Sequence, residues 1–364
     1  MKIGQATRRF EAWLGKAIDL VPQDLEYKHQ QMRADPFLFF RATFYRWCQV
    51  WREECPELAD AFETQAVGDL HLENFGTWRD SEGRLAWGVN DFDEAHPMAF
   101  TNDLVRLTVS TFLAADSNPA FAMKRTEICG EILGGYRNHL EKGGEPYVLM
   151  ERHPLLRQMA LQDLRQPAEF WKRLAAKTAP GPAKKIPSAA RAAIRSITPD
   201  AAEYEIRVVR SPKGLGSLGR QRFTALGQWH GGMFSREAKT VAPSALLWAE
   251  GRKQTCGNPY LEPTIRAAVR CHDPYYEIRK GWLVRRLAPD CSRIDVSELN
   301  HHHDRALLLR CMGGETANIH LGGKKAQKRI LKDLEKLPAK WLLHAADKLH
   351  GKCLKDWEDF ISSS

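Results

Sequence analysis

The chain has 364 residues, 43% hydrophobic and 27% charged, a composition ordinary for a soluble globular protein large enough to bury a substantial core and form more than one lobe. A formal charge of +9 suits anionic partners such as nucleotide phosphates, acidic substrates or nucleic acid without choosing among them. No run approaches the ~20 apolar residues that cross a bilayer, the first residues lack a signal-peptide core, and the eight cysteines include no Cys-x-x-Cys pair. No membrane-spanning helix is expected, the scattered cysteines favour reduced thiols over a disulfide framework or zinc site, and a cytoplasmic protein is expected.

In chain order, residues 4–34 read as helical and basic, ending at Asp35-Pro36. A second, aromatic helix starts at Phe37 and belongs to the core. Asn74 to Trp78 and Leu85 to Val89 flank the turn-forming run Arg79-Asp80-Ser81-Glu82-Gly83, which predicts a hairpin. That hairpin would set Gly68-Asp69-Leu70-His71 and Asn74 beside Asn90-Asp91-Phe92-Asp93-Glu94. Residues 98–113 read as a capped apolar helix, with Asp103 near its start, and further helices are predicted over 119–140 and 153–176. The Pro-, Ala- and Lys-rich stretch 177–200 reads as a linker and domain boundary.

Beyond it the pattern changes to strands, at 204–210, 222–229 and 232–239. Between the first two lies Gly214-Leu215-Gly216-Ser217-Leu218-Gly219. A Gly-x-Gly-x-x-Gly between strands suits a loop over nucleotide phosphates, whereas the dinucleotide motif opens a helix. Residues 244–253 read as a helix, 275–279 and 281–287 as a strand pair leading to a connector, and 297–321 and 324–355 as helices. The lysines of the last read as a solvated face. His301-His302-His303 reads as a surface turn, since three adjacent residues cannot converge on one metal.

The chemistry lies in the two acidic clusters. Phosphoryl transfer needs positioning and charge neutralisation around Mg2+ more than covalent help from the protein. Asp69 and Asn74, five residues apart, have the spacing of a catalytic loop in which Asp orients the attacking hydroxyl and Asn holds metal, and Asp91 follows one hairpin later as a metal-binding carboxylate. Other readings of the same side chains are a solvated acidic hairpin and a hydrolase with Asp69, His71, Asp91 and Asp93 as metal ligands.

Gly68-Asp69-Leu70-His71-x-x-Asn74 with Asn90-Asp91-Phe92 resembles the Gly-Asp-Leu-His-x-x-Asn and Ile-Asp-Phe motifs of aminoglycoside and choline kinases, within the protein-kinase-like superfamily. More closely, the chain resembles the bacterial family called domain of unknown function 2252. The match is carried by Arg33 and Arg41 with their neighbours, Gly68 to Gly76, Asn90 to Glu94, Asp103-Leu104-Val105-Arg106, the glycine loop, Arg236-Glu237-Ala238, Glu250-Gly251 and Leu283 to Leu287.

The resemblance implies an α+β, two-lobed, protein-kinase-like fold that binds ATP and Mg2+. Because the catalytic loop precedes the Gly-rich loop, the order is circularly permuted: a helical lobe over 1–200, a small β-rich nucleotide lobe over 201–290, and helices over 291–364 that return to the larger lobe. It further implies Asp69 as the catalytic residue, with His71 beside it, and metal binding by Asn74 and Asp91 assisted by Asp93. Phosphates would be bound by Gly214, Gly216, Ser217 and Gly219, with a cation at Lys239 or Arg236 braced by Glu250. The hinge that contacts adenine would run over 283–289 and include Arg285 as a cofactor-binding residue, and Asp103 would hydrogen-bond back to the catalytic loop. The expected activity is phosphotransfer from ATP to an unknown small-molecule or protein hydroxyl. The alternatives are a non-catalytic pseudokinase and an AMP-transferring module. Neither a membrane nor nucleic acid is expected as a partner.

Overall fold

A computed structural model describes residues 1–118, 121, 123–150, 152–162, 166–180, 186–200, 202–209, 215–294, 299 and 301–363. It is a mixed α+β structure of helices and three small sheets. The region expected as one helix over 4–34 forms two, α1 (Ile3–Leu14) and α2 (Pro22–Ala34). Proline fits the first turn of a helix and not its interior, so Pro22 starts α2. Asp35 caps α3 (Pro36–Ala42) by accepting the Leu38 N–H at 2.8 Å, and α4 (Phe44–Glu54) and the short α5 (Pro56–Ala59) follow.

The expected hairpin forms. β2 (Phe75–Arg79) pairs antiparallel with β3 (Leu85–Val89), in register from Phe75 opposite Val89 to Arg79 opposite Leu85. Its turn closes on Asp80, whose Oδ1 accepts the N–H groups of Glu82 and Arg84 at 3.0 and 2.9 Å. Two short strands flank the site, β1 (Glu63–Ala66) and β4 (His96–Ala99), and pair with one another. The helices α6 (Phe100–Ser117) and α7 (Arg125–Lys142) come next, and then β5 (Tyr147–Val148), which adds a third strand beside β3. Residues 119, 120 and 122 of the predicted 119–140 helix lie outside the described residues. The region 153–176 is two helices, α8 (Pro154–Gln162) and α9 (Pro167–Ala176), again divided at a proline.

The stretch 177–200 differs from the expected linker. It supplies β6 (Thr178–Pro180) and α10 (Ser188–Ser196). β6 is the edge of a six-stranded antiparallel sheet in the order β10, β11, β9, β8, β7, β6, built with β7 (Glu203–Val209), β8 (Arg222–Trp229), β9 (Gly232–Thr240), β10 (Glu277–Arg279) and β11 (Trp282–Leu287). Ala190, Ala193 and Ile194 of α10 pack with Phe223, Ala238 and Val284 in a small core of their own. The alanines that suggested a linker are the small residues that let a helix lie close to the sheet.

Between strands run α11 (Ala245–Ala249), capped by Ser244, and α12 (Leu261–Ala267). The C-terminal part is helical, with α13 (His302–His320), α14 (Ala326–Leu334) and α15 (Trp341–Ser362). His302 and His303 begin α13 instead of forming a turn, and His302 pairs with Glu127 at 2.8 Å.

The larger core joins α1, α3, α4, α6, α7, α13 and α15 to the hairpin. α7 and α13 approach so closely that a methyl group at Gly135 would collide with the Arg310 carbonyl and one at Gly313 with the Ile132 carbonyl. Backbone cannot give way as a flexible side chain can. Gly313→Ala should therefore lower stability by about 2 kcal/mol, read as a lower urea midpoint with the slope unchanged.

Candidate active site

The first turns of α6 fix the loop that carries Asp69. Asp103, fully buried, accepts the Val67 N–H through Oδ2 at 2.7 Å and the Gly68 N–H through Oδ1 at 3.0 Å, and His320 Nε2 at the end of α13 lies 3.2 Å from the same Oδ2. Asn102 Nδ2 donates to the Gly68 carbonyl at 3.2 Å, while its Oδ1 accepts from Trp47 Nε1 at 2.8 Å. One turn further on, Arg106 donates through Nε to Asp69 Oδ1 at 2.9 Å and through Nη2 to the same oxygen. The Arg106 guanidinium is buried over the rings of Phe40, Phe44 and Trp47, 4.0 to 5.0 Å from their centroids. Gly68 turns the chain at φ +80°, where a Cβ would strike the Glu94 backbone.

The expected hydrogen bonds from Asp103 back to the loop are thus present. Had Asp103 been only a favourable charge at a helix start, its loss would cost about 0.3–1 kcal/mol. As a buried acceptor of two backbone N–H groups, Asp103→Asn should cost about 3 kcal/mol, because a carboxamide must turn its N–H2 toward one of those donors. Chemical denaturation of the two proteins separates these values.

Asp69, His71, Asn74, Asp91, Asp93, Gly216, Ser217, Lys239 and Arg285 all line one cavity of about 350 Å3. Burial pushes the Asp69 carboxyl up to about 7, against the pull of Arg106. Burial also holds His71 well below the usual imidazole value, so it is neutral, and its Nδ1 accepts the Glu73 N–H at 3.2 Å as a cap on the 3₁₀ turn Leu72–Asn74. Asn74 Oδ1 accepts the His71 N–H at 2.6 Å.

Across the hairpin, Asp91 and Asp93 differ sharply. The Asp91 side chain is 34% exposed toward the cavity and that of Asp93 12%. Lys239 Nζ lies 2.7 Å from Asp93 Oδ2 and 3.7 Å from Asp91 Oδ1, and Arg220 Nη1 donates to Asp93 Oδ2 at 3.1 Å. Although burial alone would raise it, Lys239 and Arg220 hold the Asp93 carboxyl well below the usual carboxylate range. Arg220 Nη2 also donates to Glu94 at 2.9 Å, and Glu94 accepts the Ala245 N–H at 2.7 Å, tying the hairpin end to the sheet.

The strand period separates the two candidate cations. On β9, Glu237 and Lys239 share the cavity face, while Arg236 points to the opposite one. There it donates to the Ile197 carbonyl at 2.7 Å and lies over the Tyr275 ring, so it does not reach the cavity. The brace expected from Glu250 is absent. Glu250 follows α11, its side chain is 43% exposed, and it pairs with Arg252 at 3.2 Å. Glu237 is instead the acid among cations, 2.8 Å from Arg285 and 3.4 Å from Arg222. Against the effect of burial these two arginines hold its carboxyl at about 2.

Gly214 lies outside the described residues. Gly216, in the 3₁₀ turn Leu215–Ser217, sits so that a Cβ would come within 3.2 Å of the Arg41 carbonyl and of Asp69 Oδ2, which places the glycine loop directly over Asp69. Ser217 accepts from Arg222 Nη2 at 2.8 Å. Gly219 does not line the cavity; at φ +93° it turns the loop against α2, and its carbonyl accepts the Val21 N–H at 2.8 Å.

Further lining residues are Lys28 and Arg293, which have no signal in the motifs, and Arg41, which lies in one of them. Lys28 of α2 is buried, which pulls its ammonium down to about 8. Arg41 and Arg293 both pair with Glu73 at the rim. Among the described residues the lining holds ten Lys and Arg against seven Asp and Glu, an excess that favours a polyanion. No group of three or more His, Cys, Asp and Glu side chains among them is arranged to hold a metal, which removes the all-protein metal cage of the hydrolase reading.

Residues 20–200 match the model of DUF2252, described as an uncharacterized protein conserved in bacteria. The DUF2252 region carries Asp69, His71, Asn74, Asp91, Asp93 and the bracing Asp103 and Arg106; the match does not extend to Gly216, Lys239 and Arg285. No curated protein and no solved structure matches the chain. Among the described residues no helix is long and apolar enough to cross a membrane.

Proposed function

We propose that the protein is an ATP- and Mg2+-dependent phosphotransferase acting on the hydroxyl of a small molecule or a protein. One observation carries this reading: Asp69, Asp91 and Lys239, from distant parts of the chain, meet at one cation-rich cavity beneath a glycine loop. ATP is the substrate whose triphosphate supplies the negative charge that the lining lacks. Lys239 and Arg285 hold the phosphates, and Gly216 and Ser217 let backbone approach them. Asp69 orients the acceptor hydroxyl and takes its proton, for which a carboxyl near 7 is well matched to neutral pH. Leu287 and Ala288, where β11 leaves the sheet, line the same cavity and suit an adenine.

The donor set fits magnesium. Mg2+ is held by one or two carboxylates with water and phosphate oxygens completing its shell, and the open carboxylate of Asp91 beside Asn74 offers that without a protein cage. When bound, the ion neutralises charge on the transferring phosphate. Asp93 assists by fixing Lys239. On this reading the fold is protein-kinase-like and circularly permuted, a view supported by the closing of α13 onto the loop through His320 and Asp103.

The ion pair between Arg106 and Asp69 favours a second reading, nucleotide binding without transfer, since a paired carboxylate is a poorer base. Two measurements separate them. ATP with Mg2+ should raise the melting temperature, and Asp91→Ala should remove the Mg2+-dependent part of the rise. With γ-labelled ATP and a panel of hydroxyl acceptors, transfer by wild type should fall about 100-fold or more in Asp69→Asn. The wild-type rate should climb as pH passes through about 7, because the folded carboxyl loses its proton there. With α-labelled ATP run in parallel, a thermal shift with neither label transferred selects the binding module, and transfer of the α label alone selects AMP transfer.

A further inference from the structure

We propose that a second cavity, on the far side of the Asn90–Phe92 segment from the nucleotide cavity, binds a small organic anion, a carboxylate or phosphate on an apolar body. This cavity measures about 390 Å3 and lies between β2, α12, the turn at 270–276 and the strands β10 and β11. Three of its lining side chains carry buried polar atoms without a hydrogen-bond partner among the described residues: Arg270 Nη1, the Tyr276 hydroxyl, and Nε and Nη2 of Arg286, which stands in the wall shared with the first cavity. Buried donors are nearly always satisfied, and here several lie around one space.

The neighbouring charges do not satisfy them. Arg266 pairs with Glu262 at 2.6 Å, Arg279 with Glu277 at 2.8 Å, and Arg285 with Glu237 at 2.8 Å, so those acids are engaged elsewhere. Asp273 is the remaining carboxylate of the lining, and its Oδ1 accepts the Tyr275 N–H at 2.9 Å. Glu315 beyond the lining acts on Arg270, and Asp290 with Asp273 on Arg286, yet none of these carboxylates makes a hydrogen bond to Arg270 Nη1, to Arg286 Nε or Nη2, or to the Tyr276 hydroxyl. An anion would take the donors left open, and guanidinium with phenol is the donor set that carboxylates and phosphates use.

The walls define the rest of the ligand. Trp78 and Phe92 form an apolar side, and the Arg270 guanidinium rests over both rings at 4.5 and 5.0 Å, which fixes its direction. The volume exceeds that of a bare anion, so a flat or short apolar group accompanies the charge. Nothing in this inference depends on nucleotide binding.

The test uses the full chain and three probes: benzoate, phenyl phosphate and inorganic phosphate. Wild type should be stabilised saturably by benzoate or phenyl phosphate, and more weakly by inorganic phosphate. Arg270→Gln should weaken that binding about tenfold or more, the loss of a charged hydrogen bond. Tyr276→Phe should weaken it without lowering the melting temperature, because it removes a hydroxyl that has no partner. Lys239→Met, in the first cavity, should leave it unchanged. No saturable stabilisation by any probe overturns the proposal, as does binding that survives intact in Tyr276→Phe and Arg270→Gln or is abolished by Lys239→Met. Binding of inorganic phosphate alone overturns the organic part. If Arg270→Gln does not fold, Tyr276→Phe decides.

Discussion

A single buried carboxylate holds the candidate site in shape. Asp103 sits at zero exposure among the amides of Val67 and Gly68 and the ring of His320. An ionisable group so deep is tolerated only when its lone pairs are taken by well-placed donors. The same requirement fixes the backbone that supplies those donors. From that point Asn102 and Arg106, on the same end of α6, reach the next two atoms of the loop, the Gly68 carbonyl and the Asp69 carboxylate. The position of Asp69 is therefore set by a helix and not by the loop's own preferences.

Around that anchor the protein drives chemically identical groups apart. Burial raises Asp69, while Lys239 and Arg220 overcome burial at Asp93 and keep it ionised. Two carboxylates with opposed environments can serve opposed purposes, one exchanging a proton and one holding a charge in place. Asp91, the most open of the three, is left for a ligand. Such division is what the proposed phosphotransfer requires, and the net excess of cations is what its polyanionic substrate would neutralise.

Much of this was legible in the sequence because it depends on short-range signals. The hairpin was written in a turn run between apolar segments, and Asp103 in its place at a helix start after an acidic cluster. Motif spacing left Arg236 and Lys239 open as the cation, and strand alternation puts Lys239 on the cavity face with Glu237 and Arg236 on the other. Glu250 misled because a helix acid near a cation strand has the right type, and only the fold reveals that it ends a five-residue helix in solvent. Lys28 was hidden, and the partner of Arg106 with it, for another reason. Their importance arises from burial against residues far away in the chain, and nothing local marks a lysine or arginine as buried. The stretch 177–200 looked like a linker by composition, but its alanines are what a helix needs to pack on a sheet.

The contact of His320 with Asp103 joins residues 217 positions apart in the chain. As the protein emerges from the ribosome, the loop with Asp69 appears early, yet the strand bearing Lys239 comes much later and the end of α13 later still. Until then Asp103 lacks one of its neighbours and Asp93 lacks its main counter-charge. A nascent chain stalled before α13 would carry every motif residue and still have no finished site, so the cavity is among the last features to be assembled.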